Sequence, residues 1–230
     1  MKIDTRKLKN EPLEAAIQNN TRWDEIDIGG RRFFLNRIDD MEKLLDAVSD
    51  QEFNIDERLP YWAEVWPSAI ALSEFIYENQ SEFNGKSILE MGCGLGLVGI
   101  VATASGGNVL FTDHDEYALR FTQINFTRNF ERPATVQNMD WRVADTGQKF
   151  EIIIAADILY EKRWLEPVVN VIEKKLAPDG TAYIAEPERT IARDFFTLIR
   201  TKKWSHQSLL KRTMVCNKLH SIKICRIRKC

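Results

Sequence analysis

The sequence is short of the residues that mark several large classes of protein. Four cysteines occur, Cys93, Cys216, Cys225 and Cys230, with no Cys-x-x-Cys spacing among them. Neither a disulfide framework nor a thiolate zinc site is expected, and the usage suits a reducing compartment. The three histidines, at 114, 206 and 220, form no ligand spacing, and no metal is indicated. No apolar run approaches the roughly 18 residues that span a bilayer. The N-terminus, MKIDTRKLKNEPLEAAIQ, is too polar for a signal peptide. A cytoplasmic location without a membrane partner is expected. Nor is one sign of charge in excess: 32 Lys and Arg face 34 Asp and Glu, a net charge of −2, which argues against a nucleic-acid partner. The locally basic C-terminus, KRTMVCNKLHSIKICRIRKC, reads as the solvated face of a terminal hairpin, with a docking patch for an acidic partner as the alternative.

What is present is an ordinary globular composition, 44% hydrophobic and 29% charged over 230 residues, enough for one substantial core. The first fifty-odd residues read as a local elaboration. A helix at NEPLEAAIQ takes Asn10 as its cap, a hairpin turns at Gly29-Gly30, and a second helix lies in DDMEKLLDAV. We divide the chain into this extension, residues 1–55, packed on a main domain of residues 56–230. In the main domain strands alternate with helices. SILEM, NVLFTD, ATVQNMD, FEIIIAAD and TAYIAEP are the strands, the last entered through a PDG turn. Helices start at Pro67, after the glycine loop, in DEYALRFTQINFTRNF, in EKRWLEPVVNVIEKKL and in ERTIARDFFTLIR. This is the pattern of an α/β fold with a mostly parallel sheet. The closing runs WSHQSLLKR and HSIKICRIR are joined too tightly to be parallel, so the last strand must run antiparallel to its partner.

The chemistry centres on LEMGCGLGLVG, residues 89–99. Gly94-x-Gly96-x-x-Gly99 fits the dinucleotide fingerprint, and Glu90-x-Gly92-x-Gly94-x-Gly96 fits the loop that holds S-adenosylmethionine (SAM). Both rest on the same physics, a strand end, a close backbone approach and a helix N-terminus. Asp113, closing the next strand, can accept from ribose hydroxyls in either case. Three observations favour SAM. Glu90 is acidic where dinucleotide binders stay apolar. No Tyr-x-x-x-Lys occurs, since the residues four places after the five tyrosines are Val65, Ser81, Phe121, Trp164 and Pro187. Within these residues no second domain is expected that would carry other dehydrogenase residues. A phosphate-binding P-loop also fails, because Gln80 stands where GKS at 85–87 needs a glycine.

In this order Glu90-x-Gly92-x-Gly94-x-Gly96, Asp113, Asp140-Trp141 and Asp157-Ile-Leu-Tyr160 resemble the seven-β-strand SAM-dependent methyltransferases. More narrowly they are similar to methyltransferase family sixteen, which contains many protein-lysine methyltransferases; VWPSA at 65–69 also fits that branch. The resemblance covers roughly residues 60–228. It implies a Rossmann-like seven-stranded sheet of order 3-2-1-4-5-7-6, with strand 7 antiparallel and helices on both faces. It also implies roles. Gly92, Gly94 and Gly96 would approach the amino-acid half of SAM, with Glu90 beside them, and Asp113 would take the ribose, although Asp115 competes for that task and for the helix cap. Asp140 and Trp141 would hold adenine, Ala156 would leave room for the cofactor, and Trp66 would border it. Tyr61 and Trp62 would line the acceptor channel or pack in the core. Asp157 and Tyr160 would be catalytic, the aspartate orienting an acceptor amine, with Glu186 a further candidate at the rim. The expected activity is SAM-dependent N-methylation of a protein lysine by a monomer, yielding S-adenosylhomocysteine; the alternative is a small-molecule acceptor, nicotinamide-type or another amine.

Overall fold

The computed structural model describes residues 11–47, 59–143 and 147–229. The expected cap Asn10 and the proposed boundary at 55/56 lie outside them. Helix α1 (Glu11–Gln18) leads into the hairpin β1 (Thr21–Ile28) and β2 (Arg31–Ile38), followed by α2 (Met41–Ala47). After a 3-10 turn at Tyr61–Ala63 come α3 (Pro67–Glu78), with proline at its first position, and the short α4 (Gln80–Phe83). The alternating part then runs β3 (Ser87–Met91), α5 (Leu97–Ala104), β4 (Asn108–Asp113), α6 (Glu116–Phe130) and β5 (Thr135–Asn138). It continues with β6 (Phe150–Ala156), α7 (Lys162–Lys175), β7 (Leu176–Glu186), α8 (Ala192–Thr201), β8 (Ser205–Val215) and β9 (Lys218–Arg228).

The large sheet has the order β5-β4-β3-β6-β7-β9-β8, with β9 antiparallel to both its neighbours. Counted from β3 this is 3-2-1-4-5-7-6, the expected topology. The closing hairpin turns through Cys216 and Asn217, both at positive φ (49° and 59°), the conformation of a two-residue type I′ turn. Several boundaries differ from the sequence reading: β5 stops at Asn138, short of Asp140, and α8 starts at Ala192, after residues 188–191. Pro178-Asp179-Gly180 does not precede β7 but bulges out of it: Leu176 already pairs with Phe150, and the ladder resumes at Thr181 opposite Ile152.

Strand residues alternate between two cores, as their period of two demands. Ile88, Ile152 and Ile154 point to the side of α3 and α5, while Leu89, Met91, Ile153 and Ala155 point to that of α7 and α8. Both faces are therefore covered, which explains the apolar run 152–156 of β6. The N-terminal elements join these cores. Ile28, Phe33 and Leu35 of the hairpin sit in the first, and Leu13, Ile17 and Leu44 form a third cluster with Trp62 and Phe121. Asn125 and Asn129 of α6 bind the outer edge of β2 as another strand would. Their amides donate to the carbonyls of Asn36 (3.1 Å) and Phe34 (2.8 Å) and accept from the same residues' N–H groups. The basic C-terminal hairpin meets acidic helices, Lys211 pairing with Glu78 at 2.8 Å and Arg226 with Glu82 at 2.5 Å.

Candidate functional site

β3 ends at Met91 and the chain turns through the glycines into α5, opening a cleft beyond the C-terminal ends of β3, β4 and β6, where open α/β sheets bind ligands. Gly92 and Gly94 line this cleft. Gly96 does not; it takes φ of 84° as the helix cap and faces Thr122. Gly99, which completed the dinucleotide pattern, is a packing residue. A Cβ there would lie 2.3 Å from Glu90 Oε2 and 2.3 Å from the Phe111 ring. The helix is thus pressed against two strands, and the third glycine of that pattern follows from packing with no bearing on which cofactor binds.

Glu90 is buried in the cleft wall, and desolvation pushes its carboxyl up to about 8; the nearby Gly99 N–H opposes the rise and Asp113 adds to it. Asp113 is also buried. Its Oδ2 accepts from Gly94 N (3.0 Å) and its Oδ1 from Asp115 N (3.0 Å). Asp115 caps α6 by accepting from Tyr117 N at 2.7 Å. The two acidic residues that competed on paper hold different posts: Asp115 starts the helix and Asp113 ties the glycine loop to β4. Trp141 lines the cleft, edge-on to Trp164 at 5.8 Å. Asp140 is absent from the cleft wall and lines a shallow neighbouring hollow. Arg142 grips its carboxylate (2.9 and 2.7 Å) and holds it below the usual range.

Across the cleft, β6 brings Ala156 and Asp157 to the rim, with Tyr160 one turn further on. Asp157 is buried at φ of 60°, its N–H bound to the Ala185 carbonyl at 2.9 Å. Tyr160 packs on Tyr61 (5.4 Å), which meets Trp66 edge-on (6.3 Å), so the three rings form one aromatic wall. Trp66 Nε1 donates to the Tyr61 carbonyl at 2.9 Å, fixing that wall. Burial raises the Tyr160 phenol well above its ordinary value, with Glu161 adding to the effect. Trp62 borders the cleft but is mainly core, its ring packed on Phe121 (5.1 Å) and Tyr117 (6.1 Å). Glu186 is buried behind the rim and accepts from Arg189 N at 3.0 Å.

Two features escaped the sequence reading. Arg189 pairs with Asp157 through its guanidinium. Thr122 and Asn125 of α6 brace the glycine loop, donating to the carbonyls of Gly94 (2.9 Å) and Leu95 (2.9 Å). The spacing of Thr122, Asn125 and Asn129 is the available signal, a polar i, i+3, i+7 stripe on an inward helix face.

The residues present fit SAM. Glu90 Oε2 and Trp141 Nε1 are buried without hydrogen-bond partners, on side chains that line one cleft. Orphaned polar atoms of this kind are costly. A carboxyl that an incoming cation would ionise and an indole donor suit an ammonium group and a purine.

Comparison with known proteins agrees. The family model described as "Lysine methyltransferase" matches residues 50–202. The histidine protein methyltransferase 1 homolog of Dictyostelium discoideum is 31% identical over 64% of this chain and 48% of its own length. The EEF1A lysine methyltransferase 3 of Mus musculus is 30% identical over 59% and 60%, respectively. The protein-lysine methyltransferase METTL21E of Bos taurus is 36% identical over 47% and 41%. The chain thus spans about half the length of the curated relatives it matches. Among solved structures, the Thermus thermophilus 16S rRNA N2 G1207 methyltransferase superposes with a TM-score of 0.61 at 14% identity, covering 92% of this chain and 51% of that one. A ribosomal protein L11 methylase from Lactobacillus delbrueckii gives 0.54 at 19% identity over 69% and 77%. These two speak for the fold. With the family model covering two thirds of the sequence, the chain belongs to the lysine methyltransferase family of SAM-dependent methyltransferases.

Proposed function

We propose that this chain is a SAM-dependent N-methyltransferase whose acceptor is a lysine side chain of a protein. The observation that carries the proposal is the convergence on one cleft of two sets of groups. Glu90, Gly94 and Asp113 lie on the donor side, and Asp157, Tyr160 and an aromatic wall on the other. The mouse and cattle relatives carry protein-lysine names, which supports this acceptor over a small amine. Residues 1–55 are in this reading an extension of the methyltransferase domain of 56–230, and its described part, residues 11–47, braces that domain through the shared clusters around Leu35 and Trp62. Among the described residues no helix is long and apolar enough to cross a membrane.

SAM supplies a methyl group on a cationic sulfur, which departs without acid assistance. The work left to the chain is to bind and orient, and to favour the acceptor amine once its proton has gone to solvent. Glu90 receives the donor's ammonium, Asp113 its ribose hydroxyls, and Trp141 its adenine face. The rings of Tyr61, Trp66 and Tyr160 take the acceptor's alkyl stem and exclude water, which disfavours its charged form and frees the lone pair. They also hold the cationic donor at their faces. Tyr160, kept neutral by burial, aims the amine by hydrogen bonding. Asp157 fixes its approach, so most of the rate gain is alignment.

The test is incubation of the purified protein with methyl-tritiated SAM and a host lysate. Label in a discrete protein band that hydrolyses to methyl-lysine supports the proposal. Label confined to small molecules, or recovered as methyl-histidine, refutes the acceptor assignment.

A further inference from the structure

The Asp157 corner poses a chemical problem. A carboxylate beside the acceptor orients an ammonium but also stabilises it, and only the neutral amine can attack. The surroundings aggravate this. β3 and β4 present Glu90 and Asp113, and the turn after β4 adds His114 and Asp115. From the aromatic stretch before α3 come Tyr61 and Glu64. The corner before α7 adds Tyr160 and Glu161, the latter paired with Arg163 at 2.6 Å. β7 closes the back with Glu186, next to the Glu188–Lys223 pair of 2.9 Å.

Among the described residues, Arg189 is the cation bonded to Asp157. It sits outside the cleft wall, while Asp157 is part of it. The guanidinium reaches Asp157 from the segment that follows β7, the strand paired with β6 through Ala156 and Ala185. Both ends of the pair are anchored through the main chain, Asp157 N on the Ala185 carbonyl (2.9 Å) and Arg189 N on Glu186 Oε2 (3.0 Å). We infer that Arg189 is a positioning residue that neutralises Asp157, leaving it able to orient the acceptor amine without holding that amine protonated. The inference rests on the reading of Asp157 as the acceptor-facing carboxylate. It assigns the Arg189 charge to the nucleophile's deprotonation, a role that packing alone would not create.

The experiment measures initial rates of label transfer from saturating tritiated SAM to the lysate protein band across pH, for the full chain and for Arg189→Gln, Arg189→Met and Arg189→Lys. Uncovering one charge near the amine should move the rising limb of the profile up by about one to two pH units in the Gln and Met variants. Their rates should recover toward wild type at high pH. Arg189→Lys should keep the wild-type midpoint, and SAM affinity should stay within twofold in all three, which also verifies folding. A uniform loss at every pH, or a limb that does not move, overturns the inference. Asp157→Asn separates the two failures. If it abolishes transfer with SAM binding intact while the limb of Arg189→Gln stays put, the acceptor reading stands and the neutralising role falls. If Asp157→Asn transfers normally, the acceptor reading itself falls.

Discussion

Replacing Glu90 by glutamine should stabilise the protein and weaken its hold on SAM. In the folded chain the carboxyl titrates near 8, against an ordinary 4.5, because burial disfavours its charge. Below about pH 4.5 both folded and unfolded chains carry the proton, and the group costs nothing. As pH rises from 4.5 toward 8 the unfolded chain ionises first, so folded stability declines through that window and no further above it. At pH 7 the span crossed is about 2.5 units, worth about 3 kcal/mol. The amide carries no charge to desolvate and recovers this term. For a domain of this size that corresponds to a rise in Tm of roughly 6–12 °C. The same substitution would remove the proposed charge partner of the SAM ammonium, at a cost on the order of 10- to 100-fold in Kd. In the wild-type protein, binding at pH 7 should expel about 0.9 proton, the protonated fraction of a group with a pKa near 8. The assays are thermal unfolding of both proteins between pH 5 and 8.5, and titration calorimetry in buffers of differing ionisation heat. A variant that matches wild type at pH 5 and fails to gain at pH 7.5 would refute the assignment of an uncompensated buried carboxyl, as would SAM uptake without proton release.

Three further outcomes are expected. Asp157→Ala should abolish methyl transfer while SAM binding changes by less than about threefold; equal loss of both would put the side chain in the cofactor pocket. Asn125→Ala leaves the carbonyls of Asn36 and Leu95 and the Asn36 N–H without their partners. It should cost about 2–4 kcal/mol in denaturant unfolding, and an unchanged midpoint would mean that the bridge from hairpin to glycine loop is not structural. Gly99→Ala forces a methyl into Phe111 and the Glu90 carboxylate, so a loss of about 1–3 kcal/mol is expected; a neutral result in the same unfolding measurement would show that α5 can lift from the sheet.

The fold was legible because each of its signals is local. Strands rich in apolar residues run out at glycine or aspartate, a proline opens α3, and a short connection between the last two runs allows no parallel pairing. The PDG bulge misled for the opposite reason. Pro-Asp-Gly reads as a turn, but whether the ladder begins upstream of it depends on Leu176 finding Phe150, a pairing 26 positions away. The site divides along the same line. Glu90, Gly94 and Asp113 are joined by one loop and one neighbouring strand, so their spacing carries their geometry. Arg189 lies 32 residues from Asp157 inside an exposed-looking PERT segment, where nothing local separates a charge for solvent from a charge for a partner. Asp140 shows the converse, since Arg142 two residues on claims the carboxylate that the motif assigned to adenine. Local patterns therefore placed Asp157 and Tyr160 at the cleft, while the electrostatics there depend on pairs formed across strands. For Asp157 the second is decisive: in the proposed reading, whether it hinders or assists an amine nucleophile turns on Arg189, a residue that no motif at positions 157–160 contains.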